Sequence, residues 1–185
     1  YAHAHGIIHR DVKPGNILFD EGGAAYLADF GIARTADAGG KSLTQTGLII
    51  GTAAYMSPEQ ALSRPLDGRS DIYSLGAVLY EMLSGDIPYK ADSSLQQVMQ
   101  HVSAPIPSIR ARRPNLPPAI QTIINRALAK EPGDRYQTAA ALAADLRRLA
   151  ADKQSTRKAS PFPTWLIAVV VVGVLALFAA FALSG

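Results

Sequence analysis

Between Ile17 and Ala28 the chain can do little except fold back on itself. Ile17 to Asp20 and Ala24 to Ala28 are two short β-prone runs separated by Glu21-Gly22-Gly23, where the glycines offer the positive φ that a tight hairpin needs. The fold-back carries Asp29 towards Asp11 and Asn16. A carboxylate and an amide oxygen converging there suit a hard, oxygen-seeking cation such as Mg²⁺. Asp11 is then left free to act as a base, and Lys13, two residues on, is placed to meet negative charge.

The stretch His9-Arg10-Asp11-Val12-Lys13-Pro14-Gly15-Asn16, followed by Asp29-Phe30-Gly31, resembles the catalytic loop and metal-binding motif of eukaryotic-type protein kinases. Gly51-Thr52-Ala53-Ala54-Tyr55-Met56-Ser57-Pro58-Glu59 resembles the segment on which that family docks its polypeptide substrates. Lys13 and Thr52 in these positions favour the Ser/Thr branch. The likeness runs from Tyr1 to about Ala150. With the apolar tail described below, it is nearest to the bacterial membrane-anchored Ser/Thr kinases.

The resemblance implies roles residue by residue. Asp11 would accept or orient the proton of a protein hydroxyl, Lys13 would stabilise the transferring phosphoryl group, and Asn16 and Asp29 would hold Mg²⁺ with ATP. Ile32 to Leu48 would be the activation segment, with Thr44 and Thr46 where activating phosphates are placed and Arg10 and Arg34 as the basic pocket that receives them. Asp71 would hold backbone amides of the catalytic loop, a role compatible with capping the helix in which it lies. Glu59 would pair with Arg135, and His9 would be structural.

At 185 residues and 48% hydrophobic, the chain can build one globular domain plus something smaller. It has no cysteine, so disulfides and thiolate-metal sites are excluded. His3, His5, His9 and His101 make no metal-ligand spacing and read as unpaired surface or core residues. The net charge of +3 comes entirely from residues 145–158, where Arg147, Arg148, Lys153, Arg157 and Lys158 outnumber Asp145 and Asp152. A basic run just ahead of an apolar segment fits membrane topology better than phosphate-backbone binding, so no nucleic-acid partner is expected.

That apolar segment, Trp165 to Leu183, has 19 uncharged residues. As a helix it is about 28 Å long, close to the roughly 30 Å core of a bilayer. It reads as a single transmembrane helix whose basic flank is cytoplasmic. Gln154 to Pro163 is polar, basic and proline-bearing, as linkers are.

Elsewhere the pattern predicts helices. Tyr1 to Ile8 reads as a helix end that stops at Gly6. Asp67 to Ser84 reads as a cap and a broadly apolar, central helix whose face includes Ile72, Leu75, Gly76, Leu79, Tyr80 and Leu83, widened by Met82. Ser93 to Val102, Pro118 to Ala129 and Thr138 to Ala150 are three more helices, with a proline- and arginine-rich connector from Pro105 to Pro118 that reads as a solvated loop. Gly40-Lys41-Ser42 is no phosphate loop, because Thr35 stands where its first glycine should be.

The fold class expected is mainly α. It comprises a protein-kinase-like C-terminal lobe with a short β-hairpin at 1–150, a basic juxtamembrane linker at 151–163 and a transmembrane helix at 164–183. Its partners would be Ser/Thr-bearing proteins and a lipid bilayer, with a homodimer as the form that autophosphorylates. The small lobe that the family carries upstream, with its glycine-rich loop, strand lysine and glutamate partner, is not in this sequence, so the chain reads as a fragment inactive on its own. The alternatives are a catalytically silent kinase-like scaffold, which would be expected to have lost Asp11, Asn16 or Asp29, and a small-molecule phosphotransferase, which has no use for the docking segment.

Overall fold

A computed structural model describes residues 1–30 and 53–158, except for the side chains of 152–158. The chain divides into two units, Tyr1–Leu146 and Arg147–Gly185, and the architecture below is that of the first. Its described residues are mainly helical, with one two-stranded antiparallel sheet.

The first residues form a single 3-10 turn, Ala2–His5, tighter than the helix end expected, closed by Gly6 at φ 73°. Strands β1 (Ile17–Phe19) and β2 (Ala25–Leu27) pair in the register Ile17 with Leu27, Leu18 with Tyr26 and Phe19 with Ala25. The turn between them closes through Gly23 N–H to the Asp20 carbonyl and Asp20 N–H to the Ala24 carbonyl, both at 3.0 Å. Only Gly23, at φ 80°, adopts the left-handed conformation expected of both glycines.

Helix α1 (Pro58–Ala61) starts at a capping box in which Ser57 and Gln60 bond reciprocally. Helix α2 (Gly68–Ser84) follows the Asp67 cap, whose carboxylate accepts the Arg69 N–H, and ends at left-handed Gly85. Its buried face is more polar than the apolar period suggests. Ser70, Asp71 and Ser74 lie inside with Ile72, Tyr73, Ala77, Val78 and Tyr80, whereas Leu75 is 36% and Met82 73% exposed. Gly76 lets α2 approach α5 (Pro118–Ala127) closely, since a Cβ there would stand 2.8 Å from that of Ala127.

Helix α3 (Ser94–Ser103) is capped by Ser93. The connector expected to be a loop contains a helical turn, α4 (Ile109–Arg112), because the Ser108 hydroxyl accepts the Ala111 N–H and Ile109 is fully buried. Within it, Arg112 pairs with Asp86. Helix α5 is Pro118–Ala127.

Helix α6 (Ala139–Lys158) runs through the first eight of the residues assigned to the linker. Ala150, Ala151, Lys153 and Gln154 all favour helix, and the first proline is Pro161. No helix of the described residues is long and apolar enough to cross a membrane, and Trp165–Leu183 lies outside them.

Candidate active site

The loop from His9 to Asn16 has little regular structure of its own, so its shape comes from bonds to other elements. Arg10 sits at φ 70°. For a side chain with a Cβ this left-handed conformation costs about 1–2 kcal/mol and persists only where the surroundings hold it. Asp71, on α2, supplies part of that hold. Its Oδ1 accepts the Arg10 N–H, and its Oδ2 accepts the His9 N–H and His3 Nε2–H, each at 2.8 Å. The helix cap is Asp67, not Asp71. His3, read as unpaired, is in fact bonded to this carboxylate.

His9 is buried, and its Nε2 lies 2.8 Å from the Ala28 carbonyl. A carbonyl can only accept, so the proton is on Nε2, and Nδ1 is left to accept the Asp11 N–H at 3.2 Å. Ala28 in turn donates its N–H to the Asn16 carbonyl at 2.8 Å. These two bonds fasten the end of β2 to the loop and set Asp29, exposed and at φ 56°, beside it. The Phe30 ring rests 4.6 Å from that of His9.

Asp11 is not the free carboxylate expected. Its Oδ2 accepts Lys13 Nζ at 2.7 Å and Asn16 Nδ2 at 3.1 Å, and Asn16 Nδ2 also reaches the Asp11 carbonyl at 2.8 Å. With its amide nitrogen committed there, Asn16 presents Oδ1 on the other side, where it takes no hydrogen bond from a described residue. That oxygen and the Asp29 carboxylate are the donor types a Mg²⁺ site needs, and such an ion usually completes its shell with water and substrate phosphates. Among the described residues no three His, Cys, Asp or Glu side chains gather as a metal cage.

Behind the loop, Glu59 and Arg135 form a buried bidentate pair, Oε1 to Nη1 at 2.6 Å and Oε2 to Nη2 at 2.7 Å. Burial pushes the Glu59 carboxyl up, but hydrogen bonds from Arg135 and Ser70 outweigh it and hold the pKa below its ordinary value. Thr52, Thr44, Thr46 and Arg34 lie outside the described residues. Arg10 is half-buried in the loop.

Sequence reasoning missed two residues here, His3 and Gln60. Gln60 Nε2 donates to the Arg10 carbonyl at 2.8 Å. The Ser57-x-x-Gln60 spacing marks a capping box and could have drawn attention to Gln60. Nothing local marks His3, because its partner is 68 residues away.

The model of the protein kinase domain family matches residues 1–146. Among curated proteins the chain is 50% identical over 150 residues to the serine/threonine-protein kinase PknB of Mycolicibacterium smegmatis, covering 80% of this chain and 24% of that protein. It is 45% identical over 152 residues to a probable serine/threonine-protein kinase of Corynebacterium efficiens, covering 80% and 23%. It is also 45% identical over 149 residues to the serine/threonine-protein kinase PknL of Mycobacterium tuberculosis, covering 80% and 37%.

The chain belongs to the protein kinase family, in the branch of the bacterial Ser/Thr kinases. It spans about a quarter of the length of the PknB relatives it matches.

Proposed function

We propose that the protein transfers the γ-phosphoryl group of ATP to Ser or Thr hydroxyls of proteins, as part of membrane-linked signalling. The observation that carries this reading is the Asp11–Lys13–Asn16 cluster, with its 2.7 Å and 3.1 Å bonds on one carboxylate oxygen. Asp11 orients the attacking hydroxyl and takes up its proton. Lys13, already beside Asp11, meets the negative charge of the transferring group. Asn16 and Asp29 hold Mg²⁺, which when bound offsets charge on the ATP phosphates. Asp71 and His9 keep the loop in the conformation that presents Asp11. Catalysis of this kind is mostly positioning and electrostatics, so it depends on each of these groups.

In this reading turnover also requires groups that cover and align the nucleotide phosphates, which the residues named above do not supply. Phosphate on Thr44 or Thr46 bonds Arg10 and Arg34 and orders the segment before Thr52, which mass spectrometry of active protein can test. Trp165–Leu183 crosses the membrane with residues 1–150 in the cytoplasm, which a cytoplasm-specific reporter fused to either end can test.

The deciding experiment is Asp11→Asn in the intact protein. It is expected to lower kcat by about 10²–10⁴ while leaving circular dichroism and thermal melting unchanged. Activity retained in a folded Asp11→Asn protein would remove Asp11 from the mechanism.

A further inference from the structure

The peptide between Arg10 and Asp11 is the backbone from which the proposed base hangs. One side chain that has no role in the mechanism above grips it. Gln60 Nε2 donates to the Arg10 carbonyl at 2.8 Å, across 50 residues of sequence. At its other end the same amide is equally committed, because Oε1 accepts both the N–H and the hydroxyl of Ser57 at 3.0 Å. A planar amide cannot turn one end without the other, so the start of α1 and the Arg10 carbonyl are held by one rigid group.

Three further observations give that bond leverage. Arg10 is at φ 70°, so the peptide it shares with Asp11 is under strain and needs outside support. The opposite edge of that peptide, the Asp11 N–H, donates to His9 Nδ1 at 3.2 Å, a longer bond than the one from Gln60. Glu59, next to Gln60, is fixed by Arg135, so α1 is a firm point from which to hold the loop.

We propose that Gln60 is a positioning residue: its Nε2–Arg10 carbonyl bond couples the segment at 53–60 to the orientation of Asp11, so that displacement of that segment misplaces the base. The inference rests on the phosphotransfer reading for its effect on rate, but the coupling itself can be measured without it.

Gln60→Glu isolates the bond. Glutamate at this position of a capping box still serves Ser57, so α1 keeps its cap while the donor to the Arg10 carbonyl is lost. Gln97→Glu is the matched control, since Gln97 is half-buried on α3 and donates from Nε2 to the Tyr89 carbonyl at 2.9 Å.

In the intact protein, Gln60→Glu should lower kcat on the order of tenfold with both KM values within about twofold of wild type. Amide exchange across residues 9–16 should quicken. Gln97→Glu should change neither. Should the carboxylate prevent folding, Gln60→Met, of similar length and without a donor, repeats the comparison.

Undiminished kcat with unchanged exchange in the loop would overturn the proposal. So would a rise in KM at constant kcat, or an equal loss in Gln97→Glu. If the wild-type protein shows no phosphotransfer, the catalytic reading fails separately and exchange decides alone. Faster exchange at 9–16 in Gln60→Glu but not in Gln97→Glu then upholds the coupling, and equal exchange ends it.

Discussion

The loop proposed as catalytic and the Glu59–Arg135 anchor lie close in the fold but are held by opposite means. Arg135 is wholly buried, and its guanidinium satisfies both Glu59 oxygens and the carbonyls of Ala129, Arg69 and Lys130 at 2.6–3.0 Å. Loop residues 9–16 instead borrow bonds from Asp71, Gln60 and Ala28, and they include a left-handed Arg10. Although His9, Val12 and Asn16 are buried, a site that in the proposed reaction admits two substrates cannot be closed over, so packing alone does not hold it. Directed bonds from rigid neighbours supply the rest. Damage to the anchor should therefore appear as lost stability, and damage to the loop as lost rate.

Breaking the anchor gives the largest expected effect on stability. Arg135→Ala leaves a buried carboxylate without its partner and should cost about 3–5 kcal/mol in denaturant unfolding. Arg135→Lys should recover little of it, because one ammonium cannot reproduce a fork of five N–H donors. A loss under about 1 kcal/mol, the range of exposed ion pairs, would show that the pair is not the anchor.

The same contrast explains what could be read from the sequence. The hairpin was legible because its two runs and its glycine turn are local, and α2 because Asp67 and a long apolar stretch announce it. Residues that act across the fold left weaker marks. Nothing near His3 points to Asp71, and nothing near Gln60 points to Arg10. Helix α4 was missed because the prolines and arginines of the connector masked the cap at Ser108. Leu75 and Met82 fit the apolar period of α2 yet are exposed, because such a period cannot tell a covered face from an open one, nor foresee that Ser70, Asp71 and Ser74 lie inside.

An effect confined to acid should come from His101, which like Arg135 lies in the buried interior. It is fully buried, its Nδ1 lies 2.9 Å from the Tyr73 hydroxyl, and its Nε2 has no partner among the described residues. Burial first, and then the charge of Lys130, push its pKa down from 6.5 to about 3. Between those values the unfolded chain binds a proton that the folded protein refuses, so stability falls as pH falls from about 6.5 towards 3. The loss across that window should be about 4 kcal/mol. His101→Asn should flatten this part of the stability–pH curve, and an unchanged slope would assign the acid sensitivity to other groups.

The smallest effect on stability should come from Asp71→Asn, and there the comparison is sharpest. The Asn oxygen can still accept one of the two loop amides, but the NH₂ that replaces the other oxygen faces an N–H or the His3 ring and cannot accept. One lost bond at this buried position should lower unfolding free energy by about 1–3 kcal/mol. The same change frees the strained peptide at Arg10, whose relaxation would move Asp11 from its place, so kcat should fall by tenfold or more on the order expected for a misplaced catalytic group. Paired denaturation and steady-state assays on the intact protein would read both quantities. A variant that lost several kcal/mol while keeping its rate would reverse the assignment, making Asp71 part of the anchor and leaving the loop held by other bonds.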